Sequence, residues 1–200
     1  MDLIPENTAL LAVHLQNDIV GTSDRLTAMF SEQVSARSVL GVAATVLDAA
    51  RRSEVGGIHT RVAFAPDYSN MTANSALLNG TAAAPCRKEG TPGTDIAAEV
   101  APAAGDLVVT HQRIGAFAGT SLERTLRERD VKTLIVPGVA TNASVETSAR
   151  WSSGLGFDVI VEDACSSTSL PAHEATIASL AMITTIASSV EIVKTLETAR

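Results

Sequence analysis

Aromatic side chains make up only 3% of this 200-residue chain, so a core must be assembled from Ala, Val, Ile and Leu. Cysteine is scarce too: Cys86 and Cys165 lie far apart and form no CxxC pair. That argues against a disulfide framework or a zinc knuckle and leaves two ordinary thiols. Basic clusters are missing and the formal charge is −7; without concentrated Lys and Arg, nucleic acid is excluded as a partner. No apolar run approaches the roughly 18 residues of a membrane span. Residues 1–6 lack a basic stretch followed by an apolar one, so the expected location is the cytoplasm, with no membrane partner. Neither a GxGxxG after the first apolar run nor a GxxxxGK[ST] occurs, so no nucleotide cofactor is expected.

What remains is a chain that is 46% hydrophobic, enough for one domain over residues 1–200. Residues 9–15 form a nearly continuous apolar run, as in a strand covered on both faces. Helical spacing follows over 32–53, Gly56-Gly57 interrupts it, and 58–63 reads as a second strand. Residues 64–104, rich in Gly and Pro, read as a long surface excursion with a short helix near 94–100, the kind of segment that serves as a lid or subunit contact. Strands are expected at 106–111, 131–136, 157–161 and 190–193, and helices at 120–130, 142–153 and 171–184. This alternation predicts an α/β fold, a doubly wound and mostly parallel sheet with helices on both faces and ligands beyond the carboxyl ends of the strands.

The stretch 134–150 organises the rest. A short apolar strand, a Gly-containing turn and a Thr-Asn start to a helix would present a small side chain at a helix N-terminus. Ser144 occupies that place. Free N–H groups and the helix dipole there stabilise a developing anion. His14 and His111 stand at or just beyond the ends of two other predicted strands.

Here the chain resembles the isochorismatase-like hydrolases, also called cysteine hydrolases. The resemblance rests on Ala9-Leu10-Leu11-Ala12-Val13-His14-Leu15-Gln16-Asn17-Asp18, Gly105 to His111, Ala116 to Leu122, Gly138-Val139-Ala140-Thr141-Asn142-Ala143-Ser144-Val145-Glu146, and Val161-Glu162-Asp163-Ala164 with His173-Glu174. It implies a three-layer α/β hydrolase acting on a small molecule, a homo-oligomer, and an oxyanion hole from backbone N–H groups near Ala140 to Ser144, around a cis peptide in the Val139-Ala140 turn. It also implies an Asp at the place of His14, a Lys at that of His111 and a Cys nucleophile at that of Ser144, so the whole triad is replaced.

The replacements suggest their own chemistry. A serine hydroxyl cannot be ionised by a helix N-terminus, so a base must take its proton as it attacks. A neutral histidine can do so near neutral pH. With His14, His111 and Ser144 converging, one ring is the base and the other orients it or donates to the leaving group, giving a Ser-His-His hydrolase of esters or activated amides. Asp18, Arg113, Phe117, Val139 and Ala140 are the expected substrate-binding residues; His59, His173 and Trp151 read as structural. No metal is expected, with one alternative: His14, His111 and a carboxylate such as Asp18 are three donors that could hold a divalent ion activating water, although no HxH or HExxH spacing is present. A second alternative is a catalytically silent member that binds a small molecule. A third, cleavage of a vinyl ether without a covalent intermediate, needs the Asp that His14 replaces.

Overall fold

The computed structural model describes residues 3–21, 27–83, 86–163 and 165–199; Met1-Asp2 and Ala164, which carry small parts of the readings above, lie outside them. Six strands, β1 (Thr8–Val13), β2 (Gly56–Val62), β3 (Leu107–His111), β4 (Thr133–Val136), β5 (Asp158–Glu162) and β6 (Thr185–Ala187), form one sheet in the order β3-β2-β1-β4-β5-β6. Every pairing is parallel. The α/β, doubly wound class therefore holds.

The continuous apolar strands follow from burial on both faces, because alternate side chains point to opposite sides of the sheet. Leu10, Ala12, Ile135 and Ile160 pack on one side with Val46 and Leu47 of a helix at Val39–Arg52 and Ile192 and Leu196 of a helix at Ser189–Thr198. Leu11, Val13, Leu134, Val136 and Val161 pack on the other with Leu122 and Leu126 of a helix at Leu122–Glu128 and Ala149 of a helix at Glu146–Gly154.

Three local expectations are corrected. The single helix over 32–53 is two, Ser31–Ala36 and Val39–Arg52, because Ser38 takes a left-handed φ of 50°. The preceding Arg37 reaches across to the carbonyls of Asp163 and Cys165. The last strand is not at 190–193. That segment lies in the helix Ser189–Thr198, started by a capping box in which Ser188 Oγ accepts from Glu191 N–H and Glu191 accepts from Ser188 N–H. The last strand is β6, just before it. The excursion 64–104 holds a helix at Ala76–Ala83, and the turns near 94–100 are 3-10 turns at Pro92–Thr94 and Ala98–Val100. It folds back on the end of β1: Asn17 N–H donates to Asp95 O and Ala97 N–H to Leu15 O.

Candidate active site

Chain order reverses between β1 and β4, and open α/β sheets bind ligands in the crevice outside the carboxyl ends at such a point. The segments leaving these two strands are tied together: Val13 N–H donates to Pro137 O and Val139 N–H donates to Val13 O, each at 2.9 Å. Gly138 makes this approach possible. Its φ is 143°, and a Cβ there would sit 2.2 Å from Val13 O, so only glycine fits. The next peptide, Val139-Ala140, is cis.

His14 is the first residue past β1 and has a left-handed φ of 53°, a conformation His tolerates better than most side chains. Its N–H donates to Thr60 O at 3.1 Å. His111 closes β3. Because β2 separates β1 from β3, the two rings meet across it, with Nε2 of His14 and Nε2 of His111 2.8 Å apart. Two nitrogens at that distance share one proton: one ring donates Nε2–H and the other accepts with its lone pair. Both residues are buried. Burial pushes the His14 imidazole well below its usual range, helped by the charges of His111 and Arg87. His111 is lowered to about 4 by burial, opposed by the Arg113 backbone. Both rings are therefore neutral at pH 7.

Ser144 sits in a wide turn, Thr141–Val145, that leads into the helix Glu146–Gly154, and it is 5% exposed. The turn is held from three sides. Thr141 N–H donates to Ser166 O at 2.7 Å, Ala143 and Val145 N–H donate to Ala140 O, and Thr141 Oγ1 lies 2.9 Å from His173 Nδ1. No hydrogen bond among the described residues joins Ser144 Oγ to either histidine.

A cavity brings several of these groups together; His14, Arg113, Val139, Ala140 and Ser144 line it, with an apolar wall that includes Phe30, Val62, Leu77 and Leu78. His111 stands behind His14 and outside that lining. Asp18 and Phe117 are also outside it. The Asp18 carboxylate accepts the backbone N–H of Arg87 at 2.5 Å, and Phe117 stacks on Trp151 with ring centroids 6.3 Å apart. Among the described residues no three His, Cys, Asp or Glu side chains are grouped to hold a metal ion. His14, His111 and Asp18 form no such group.

Three participants escaped the sequence reading. Arg87 lines the cavity at 3% exposure; nothing in Cys86-Arg87-Lys88 separates it from a solvated surface cation. Gln16, fully buried, donates to Val62 O at 2.9 Å and accepts from Val62 N–H at 2.7 Å, fastening the end of β2 to the segment after β1. The Thr141–His173 contact is the third, and only proximity in space reveals it. Elsewhere, His59 meets the Asp106 carboxylate at 3.3 Å, and Arg51 holds that same oxygen.

The geometry can be set beside known proteins. Over 69 residues the chain is 45% identical to YecD of Escherichia coli O157:H7, described as an uncharacterized isochorismatase family protein, which covers 34% of this chain and 37% of that one. The match thus spans little more than a third of that relative's length. A ureidoacrylate amidohydrolase, RutB of Rhizobium rhizogenes, is 29% identical over 179 residues, covering 81% of this chain and 71% of the relative. A cysteine hydrolase from Pseudomonas syringae pv. phaseolicola superposes with a TM-score of 0.90 at 21% identity, covering 100% of this chain and 97% of that one, a likeness of fold. Among the described residues no helix is long and apolar enough to cross a membrane. The sequence model of the isochorismatase domain matches residues 8–191, a span that takes in all six strands, His14, His111 and the Ser144 turn, and the chain belongs to the isochorismatase family.

Proposed function

We propose that the chain is a hydrolase of a small ester or amide in which Ser144 is the nucleophile and His14 and His111 handle its proton. One observation carries this reading: a buried imidazole pair at 2.8 Å in which His14 shares a cavity wall with Ser144. Because Nε2 of His14 is engaged by His111, Nδ1 is the nitrogen left to face the serine. Ser144 Oγ adds to the substrate carbonyl as its proton passes to His14 Nδ1, and the Nε2 proton of His14 can be shared with His111 Nε2. The tetrahedral intermediate collapses, the leaving alcohol or amine takes the proton, and water, activated by the same ring, releases the acid. The Ala140 N–H on the cavity wall, taken up by no acceptor among the described residues, is a suitable donor to the oxyanion. The RutB relative's name supports amides beside esters.

A specific observation favours a second reading, a silent small-molecule binder. Burial and the Arg87 charge disfavour a protonated His14, and no hydrogen bond joins it to Ser144. A fluorophosphonate label read by intact mass separates the two: a single adduct on wild type that is lost in Ser144→Ala supports the hydrolase, and no adduct on either protein leaves the binder. A cytoplasmic location and self-association belong to the same proposal; the exposed Trp151, Leu170, Met182 and Ile183 support the latter.

A further inference from the structure

We propose that the cavity takes a small organic anion, a carboxylate on a compact apolar body, and that the Arg87 guanidinium is its partner. The inference rests on reading this cavity as the substrate site and names the class of molecule it accepts. Arg87 is 3% exposed and its Nε is buried without a hydrogen-bond partner. It donates to Thr81 Oγ1, a neutral hydroxyl whose own proton goes to Leu77 O. Its guanidinium carbon lies 5.9 Å from the centre of the Phe64 ring. Among the described residues no carboxylate forms an ion pair with it: Asp18 meets Arg87 through the backbone N–H. A buried cation so placed is costly unless an anion arrives.

The surroundings select for that anion. In a protein of net charge −7, the described residues that line the cavity include Arg87 and Arg113 and no Asp or Glu. The remaining wall is mostly aliphatic, which suits a compact apolar body. Arg87 is also held in place: φ is 56°, its N–H is fixed by Asp18, and its carbonyl accepts from Phe64 N–H at 2.8 Å. A planar fork with free donors matches a carboxylate. A bound carboxylate would also offset the charge that opposes protonation of His14, so the ligand that fits is one that improves the base.

The test is a titration of the full-length protein with two isosteric pairs, benzoate with benzamide and acetate with acetamide, read by heat of binding. The expected result is a preference of about tenfold or more for a carboxylate over its amide. That preference should vanish in Arg87→Met, be partly retained in Arg87→Lys, and survive in Ser144→Ala. Equal binding within each pair, no binding by any of the four, or a preference undiminished in Arg87→Met would overturn the proposal. Should Arg87→Met fail to fold, wild type against Arg87→Lys decides, since a guanidinium fork must outperform an ammonium. A protein that prefers carboxylates yet takes no fluorophosphonate sinks the hydrolase and leaves the anion site standing; a labelled protein without the preference does the reverse.

Discussion

Nε2 of His14 and Nε2 of His111 stand 2.8 Å apart in the interior although 97 residues separate them along the chain. That contact tolerates one shared proton and resists a second. The folded protein therefore refuses protons that the unfolded chain accepts.

Stability should fall on the acid side for this reason. For a histidine lowered from 6.5 to about 4, as His111 is, the contribution is complete above pH 6.5 and is lost as the pH drops towards 4, because the unfolded state then binds the extra proton. The displacement is worth on the order of 3 kcal/mol. His14 adds in the same direction. Urea midpoints for wild type and His111→Gln, measured at neutral pH and near the lowered pKa, should show the variant losing less. Parallel losses would mean that the ring is already charged in the fold.

Ester turnover, if the serine reading holds, should lack an acid limb near 6.5. The base must be neutral to act, and burial keeps it so below that pH. The rate against pH should stay level until the lowered pKa is approached, and His14→Ala should lose about 100-fold or more. A limb at the ordinary histidine value would place the base on a solvated ring instead.

Two glycines should respond in opposite senses. Gly138→Ala puts a Cβ 2.2 Å from Val13 O at a φ of 143° and should cost about 2–4 kcal/mol, because neither backbone can yield without breaking the ladder that holds the site. Gly41, inside the helix Val39–Arg52, has nothing within 4 Å of the added Cβ. Gly41→Ala should stabilise by about 0.5–1 kcal/mol through helix propensity. Denaturant unfolding of both variants checks the pair together.

The turn that carries Ser144 should loosen when its anchor is cut. Thr141→Val removes the hydroxyl 2.9 Å from His173 Nδ1 in a site where both residues are buried, leaving a ring nitrogen unpaired at a cost of about 1–3 kcal/mol. Adding His173→Phe should recover part of that loss, since both polar partners are then gone. Strictly additive losses would show that the two groups do not depend on each other.

Much of the fold was legible because local patterns carried it. The apolar runs around Leu10, Ile58 and Ile135 announce strands buried on both faces, and the Gly138 turn before Thr141 announces a strand-to-helix corner. Short segments were less readable. Val190-Glu191-Ile192-Val193 has the composition of a strand, yet Ser188 caps a helix there, and β-propensity gave way to capping and to the burial of Ile192 and Leu196.

By itself the sequence determined the α/β class, the parallel strands and the placing of His14, His111 and Ser144 at or beyond strand and turn ends, because these follow from hydrophobic periodicity and turn chemistry within a few residues. Only the tertiary structure decided that the two imidazoles touch, that Asp18 and Phe117 stand outside the cavity wall, and that Arg87 on the excursion stands inside it. The reason is physical: contact and burial are properties of segments distant in sequence packed together. The charge of Arg87 looks the same in the chain whether it meets water or an aliphatic wall.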